Sequence, residues 1–469
     1  MTFSEVRKVF NPMRRPNARR LARRLTIEVL EDRSCPSGFT VVATGLNNPR
    51  GLTFGPDGLL YVAEGGLATN TLSTVGQCDQ VPPPVGPYTG GFTSRISKVN
   101  VTTGVRTTVA DGLPSSQTQP MPGPLVSGVA DVEFVGNTLY GLEAGAGCSH
   151  GLMGTDNTIF RVNPNGSTTT VADLSEFQKA HPVANPEPDD FEPDGTWFSM
   201  VAVRGDLYAV EPNHGEIDRI TQDGQISRVV DVSASQGHVV PTSIAYHGNF
   251  YVGNLGTFGP SHQPENIYKV TPSGQIKAVE TGLSEVLGIA FDGQARMYVL
   301  ESSTGGVAPV PFTGDVVRID PNGARTVLAN GLLFPTAMTF GPDGALYVSN
   351  FGFGGPAGAG QIVRIDVTPL GHASAALLMS LPTDPATATS SGLVAASDHI
   401  TAPAERSTGF GRADAPDFLS VEVDDSMALS RQKTVDYGTG DPSAIEQWRS
   451  DAGQTLGAAT EDHSDWPLA

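Results

Sequence analysis

One strand-sized pattern, Leu60-Tyr61-Val62-Ala63-Glu64, recurs until it accounts for most of the ordered-looking part of the chain. Tyr61, Tyr140, Tyr208, Tyr251, Tyr298 and Tyr347 each follow an apolar residue. Three residues after each stands an oxygen-bearing side chain: Glu64, Glu143, Glu211, Asn254, Glu301 and Asn350. A repeat of this kind implies one supersecondary unit copied along the chain, each unit packed on its neighbours.

The residues around each tyrosine define the unit. Before it lies a segment such as Gly51-Leu52-Thr53-Phe54 or Ala337-Met338-Thr339-Phe340, with the period-2 alternation of a strand. Between them sits a short turn, as in Pro56-Asp57-Gly58, Gly248-Asn249 or Pro342-Asp343-Gly344, whose residues tolerate the positive φ of tight hairpins. A third strand carries one cation per repeat: Lys98, Arg161, Arg219, Lys269, Arg318 and Arg364. A second turn and a fourth strand, such as Arg106-Thr107-Thr108-Val109-Ala110, complete the unit. Six units of four antiparallel strands predict an all-β, six-bladed β-propeller. The last unit reaches only its third strand, while Phe39-Thr40-Val41-Val42-Ala43 reads as a spare fourth strand ahead of the first unit. That segment is expected to close the ring, with Ala376-Leu377-Leu378-Met379 as its competitor; closure removes the exposed sheet edges.

Charge divides the chain into three. Residues 1–38 carry net +5, residues 39–371 net −15 and residues 372–469 net −10. The first part has Arg14-Arg15, Arg19-Arg20 and Arg23-Arg24 with no apolar run behind them, so it is not an ordinary secretory signal peptide. Ending in Leu30-Glu31-Asp32-Arg33, it resembles the basic, Arg-rich leader of many large exported bacterial proteins, with a disordered basic arm as the alternative. The last is rich in Ala, Ser, Thr, Asp and Gly and reads as an acidic, mostly disordered tail. An overall charge of −20 excludes a nucleic-acid binder, and no apolar run approaches the length of a membrane span.

Alternating strand directions put the short Asp-Gly and Asn-Gly turns on one rim. The insertions at 65–92, 113–128, 144–157, 175–197 and 255–265 fall on the other, where binding residues of a rigid scaffold are usually carried. The oxygen set Glu64, Glu143, Glu211, Asn254, Glu301 and Asn350 ends the second strands at this rim. Calcium at the axis is one reading of it. Structural pairing with the six third-strand cations is the other, and repetition in every unit favours it. His150, His214 and His262 reach the same rim and are candidates for zinc or for ordinary ligand binding. Asp131 and Glu133 replace small residues of the sister strands, either as a catalytic pair or as local variation. Cys78 and Cys148, in insertions of adjacent units, are expected to form a disulfide in an exported protein. Residues 80–93 combine four prolines with Tyr88 and Phe92, either as a rigid aromatic binding loop or as a plug of the channel mouth.

Three segments carry a family resemblance: Asn48-Pro49-Arg50-Gly51-Leu52, Phe54-Gly55-Pro56-Asp57-Gly58, and the run from Val81-Pro82-Pro83-Pro84 to Arg95-Ile96. Over roughly residues 39–371 the chain resembles the ScyD/ScyE family of exported six-bladed propellers. More distantly it looks like NHL, gluconolactonase-type and sugar-dehydrogenase propellers. The resemblance implies an exported six-bladed propeller and brings no catalytic set with it. The residues themselves read as a monomeric, non-enzymatic binding protein without a cofactor, which takes a small molecule, glycan or protein on the insertion rim through Arg50, Tyr88, Phe92, His150, His214 and His262. The alternative is a calcium-dependent, lactonase-like hydrolase or a sugar-type oxidoreductase.

Overall fold

The computed structural model describes residues 38–118, 125–186, 191–257, 265–305 and 309–367. The leader, the tail and His262 lie outside them. The described residues form a six-bladed β-propeller.

Blade one contains Pro49–Phe54, Leu60–Glu64, Thr89–Val99, Arg106–Gln117 and a short fifth strand, Val126–Ser127. Blade two contains Val129–Val135, Thr138–Glu143, Thr158–Val162 and Thr168–Asp173. Blade three contains Ser199–Val203, Asp206–Glu211, Glu216–Ile220 and Ile226–Asp231. Pro241–Tyr246, Phe250–Asn254, Glu265–Val270 and Ile276–Leu283 make blade four. Val286–Phe291, Met297–Glu301, Gly314–Ile319 and Arg325–Leu332 make blade five. Blade six has Ala337–Phe340, Leu346–Asn350 and Gly360–Ile365 from its own repeat, and Phe39–Leu46 as its fourth strand. The N-terminal strand therefore closes the ring, with Phe39 opposite Ile365 and Leu46 opposite Gly360. Side-chain bonds lock the same seam. Thr336 Oγ1 donates to the Pro49 carbonyl (2.7 Å) and Ser349 Oγ to the Arg50 carbonyl (2.6 Å), while Asn47 Oδ1 accepts from Gly358 N (2.8 Å).

The six first strands stand side by side around the axis, and the apolar core lies in the seams between blades. The repeated tyrosine belongs to these seams. Tyr61, Tyr251, Tyr298 and Tyr347 each pack against a phenylalanine at the end of the next blade's first strand: Phe134, Phe291, Phe340 and Phe54. The hydroxyls of Tyr61, Tyr298 and Tyr347 donate to the turn carboxylates Asp57, Asp292 and Asp343. Each tyrosine thus joins an apolar seam to a polar turn, as an aromatic ring with one polar end does well.

Register corrects the expected pairing of the third-strand cations. Lys98, Arg161, Arg219, Lys269, Arg318 and Arg364 lie opposite the six tyrosines, not opposite the Glu/Asn set. A separation of three residues puts Tyr and Glu on opposite faces of a strand. The cations therefore serve the short-turn rim, where Arg219 meets Asp206 (2.6 Å) and Arg364 meets Asp343 (2.9 Å).

Two insertions are more regular than their sequences suggest. Residues 89–99 and 106–117 form one long hairpin that carries blade one beyond its neighbours, and Val126–Ser127 adds to its edge. Gly90 allows this packing, because a Cβ there would lie 2.5 Å from Leu152 Cγ and 2.7 Å from the His150 carbonyl. Leu174–Ala180 is a short helix, capped by the Asp173 carboxylate on Glu176 N (2.9 Å).

Candidate functional site

The Glu/Asn set is buried, and each member serves its own blade. Glu64 receives Asn47 N (2.6 Å), Ser97 Oγ (2.5 Å) and a two-pronged contact from Arg95 (2.8 and 2.7 Å). Glu211 receives Thr196 N (2.9 Å) and His214 N (2.5 Å). Glu301 receives Ser284 N (2.5 Å), and Asn350 receives Leu333 N (2.9 Å). Asn254 donates to the Val239 carbonyl (2.8 Å). Four of these contacts, at Glu64, Glu211, Glu301 and Asn350, capture an amide on the segment entering the same blade's first strand. Glu143 instead accepts from Ala144 N and Gly145 N beside it. Calcium needs six to eight converging oxygens. Among the described residues no group of three His, Cys, Asp or Glu side chains is gathered to hold a metal. As a shared calcium ring these six do not fit; they are the latches of the repeat.

On the insertion rim, blades one to three are knitted together. Cys78 and Cys148 form a disulfide across 70 residues. Thr74 Oγ1 donates to the Cys148 carbonyl, and Leu72 pairs with Gly90 through both backbone groups (2.9 and 2.8 Å). Tyr88, expected to present aromatic surface, is instead buried. Its hydroxyl donates to Glu192 Oε1 (2.7 Å) and its ring packs edge-on against His150. His150 is fully buried as well, with Nδ1 2.8 Å from Ser116 Oγ and Nε2 3.0 Å from the Gly195 carbonyl. His214 Nε2 meets the Glu192 carbonyl (3.0 Å). Burial lowers the pKa of both histidines, so both stay neutral near pH 7. Ser116, His150 and Glu192 have the composition of a nucleophilic triad, but Ser116 and His150 have no exposed surface for a substrate to reach. The cluster is the polar core of the platform, made of residues the sequence scatters over distant insertions.

Phe92 does face solvent, at 52% exposure. With Leu72, Val75, Leu125 and Met153 it makes up five of the nine large apolar side chains exposed among the described residues. All five belong to the insertions of blades one and two, so exposed apolar surface is concentrated on this platform.

Removing the disulfide tests how the platform is held. Closing a loop of this length is worth about 4 kcal/mol in the chain-entropy estimate. The Cys78→Ser/Cys148→Ser variant should therefore melt about 5–8 °C lower, at about 2 °C per kcal/mol for a body of this size. An unchanged melting point in calorimetry would show that the remaining contacts fix both insertions.

The axial channel has a cavity of about 180 Å³ lined by first-strand residues of all six blades. The residues opposite the six tyrosines are Thr53, Glu133, Val201, Ala245, Ala290 and Thr339. Two residues earlier on each strand come Gly51, Asp131, Ser199, Ser243, Gly288 and Ala337. Blade two alone supplies carboxylates. Asp131 accepts from Val132 N and Met200 N (both 2.8 Å), which ties blade two to blade three. Gly51 makes room for it, since a Cβ there would fall 1.8 Å from Asp131 Oδ1. Burial pushes the Asp131 pKa well above the ordinary range, and the nearby Glu133 adds to the shift. Glu133 is itself raised by burial.

Arg50 stands where the channel opens on the insertion rim, one residue before the channel-lining Gly51. Its Nη2 donates to the Val126 carbonyl, and its guanidinium lies 6.0 Å from the ring centre of Phe198, which precedes the channel-lining Ser199. Burial lowers its pKa to about 10, so it remains a cation at neutral pH.

These features define a six-bladed propeller with an insertion platform over blades one to three and a narrow acidic channel. Among solved structures its neighbours are NHL- and gluconolactonase-like propellers. A gluconolactonase from Xanthomonas campestris is 9% identical, with 70% of this chain and 89% of that one covered at a TM-score of 0.42. A PQQ-bound aldose sugar dehydrogenase from Streptomyces coelicolor is 14% identical, with 70% and 96% covered and a TM-score of 0.40. A streptogramin B lyase is 12% identical, with 70% and 97% covered and a TM-score of 0.37. No protein-family model and no curated protein matches the sequence. Among the described residues no helix is long and apolar enough to cross a membrane.

Proposed function

We propose that this chain is an exported binding propeller of the ScyD/ScyE type, and that its recognition surface is the platform on blades one and two. The observation that carries this reading is the concentration of exposed apolar side chains on insertions that are cross-linked and internally bonded. Apolar side chains held rigidly on a surface lose little entropy when a partner covers them. Separate projecting side chains suit a protein surface better than a small molecule, which needs a concave pocket. The partner is therefore a polypeptide with a complementary apolar patch.

The test uses the Phe92→Ser/Met153→Ser variant. Both residues are exposed, so its melting point should stay within about 2 °C of the parent. Partners captured by cross-linking are purified and titrated against both proteins. The variant should bind at least ten-fold more weakly, because central apolar anchors carry most of an interface's energy. Equal affinities would remove the platform from consideration.

A second reading, a hydrolase or oxidoreductase, rests on Asp131 and Glu133 in the channel. Paired carboxylates with raised pKa values suit acid–base chemistry. Turnover of a lactone or aldose that is lost in Glu133→Gln would establish it in place of the binding reading.

A further inference from the structure

Among the described residues most cations of this acidic body either meet a carboxylate or are exposed; Arg50, Lys98 and Lys269 do neither. Arg95, Arg106, Arg228, Arg296 and Arg318 are partly buried, and each meets a carboxylate. Arg161, Arg204 and Lys277 have no carboxylate within ion-pair distance, but they are exposed and solvated. Arg50 is half-buried with no carboxylate partner. A guanidinium has five N–H donors, and among the described residues the one acceptor Arg50 meets is the Val126 carbonyl. The side chain keeps part of its surface exposed. Lys98 and Lys269 are also half-buried without a carboxylate, but they sit on third strands at the short-turn rim, away from the channel mouth.

The position suits a small anion. Arg50 lies at the loop-rim opening of the channel, beside the half-buried Phe198 ring. An arginine fork matches a carboxylate with two parallel hydrogen bonds. The site lies in a body of net charge −15. That field disfavours a dianion and limits the anion to a single charge. We infer that Arg50 is a recognition site for the carboxylate of a small monocarboxylate ligand, whose apolar body lies against Phe198 at the channel mouth. This site is separate from the platform and does not depend on the platform's role.

Benzoate is the probe, benzamide its neutral counterpart and inorganic phosphate the competing oxyanion, each titrated by calorimetry into the full chain. Benzoate should bind in the millimolar range and benzamide at least ten-fold more weakly. Arg50→Gln should lose benzoate at least ten-fold. Arg50→Lys, which keeps the charge without the fork, should fall between. Phe92→Ser/Met153→Ser should bind benzoate like the parent, which separates this site from the platform. If Arg50→Gln does not fold, the parent's preference for benzoate over benzamide and the loss in Arg50→Lys still decide. Absence of benzoate binding at 10 mM, roughly the weak limit for a single charge-assisted pair, overturns the proposal. So does equal binding of benzamide, or benzoate binding that Arg50→Gln leaves unchanged. Tighter binding of phosphate overturns the monocarboxylate class.

Discussion

A chain beginning at residue 48 should fail to give soluble, monomeric propeller, whereas a chain ending after residue 385 should melt within about 2 °C of the parent. The asymmetry follows from closure. Removing Phe39–Leu46 strips blade six of its fourth strand and leaves Gly360–Ile365 as an unpaired edge. It also removes the buried Ala43 and Leu46 from the seam between blades six and one, uncovering Leu60, Val62 and Ile362. Two or three large apolar side chains at about 1.5–3 kcal/mol each, together with the ladder bonds, amount to roughly 5 kcal/mol or more. That matches the whole net stability of many domains. The open edge then invites pairing between chains. Light scattering and calorimetry on the two truncations check both arms. A well-folded monomer starting at residue 48 would mean that the ring closes without its N-terminal strand.

The second large effect is a loss of stability toward alkaline pH. Burial raises Glu143, Glu285 and Asp315 to about 8 and Glu211 to about 7. Asp131, Glu133, Glu216, Asp218 and Glu301 are raised in the same direction, also chiefly by burial. A carboxyl whose folded pKa exceeds its unfolded value near 4 holds its proton more tightly when folded. Its stabilisation is complete below pH 4 and is lost as pH rises through about 8. His150 and His214 act oppositely. Their lowered pKa values remove stability as pH falls below about 6.5, where the unfolded chain takes up protons. Asp194, Asp292 and Asp343 are lowered, so their contribution is lost only near pH 4 and below. The carboxyls outnumber the histidines, and the sum places maximum stability near pH 5. Between pH 5 and pH 9 the melting point should fall by about 5 °C or more, equivalent to roughly 3 kcal/mol. Glu143→Gln, which mimics the protonated side chain, should raise the melting point at pH 9 and leave it unchanged at pH 5. A flat profile would show that these carboxyls are solvated.

Much of the architecture was legible locally. The period-2 strands, the Asp-Gly and Asn-Gly turns and the repeated tyrosine specify blades, because strand alternation and turn conformation depend on residues a few positions apart. The unmatched strand at Phe39 was enough to expect closure from the N-terminal side. The sequence also paired Cys78 with Cys148, since two equivalent insertions carry one cysteine each. What it could not decide was which side chains meet. The six acidic and amide groups face away from the cations they were expected to pair with, because a three-residue offset changes face and only register shows what stands opposite. Tyr88 looked like an exposed anchor, but its partner Glu192 lies more than a hundred residues away on another blade's insertion. The placement of Arg50 between Val126 and Phe198 likewise exists only once blades one and three are brought to one axis. Repeats encode the blades in short-range pattern, whereas the site is assembled from insertions that share no pattern, and only the closed ring puts them together.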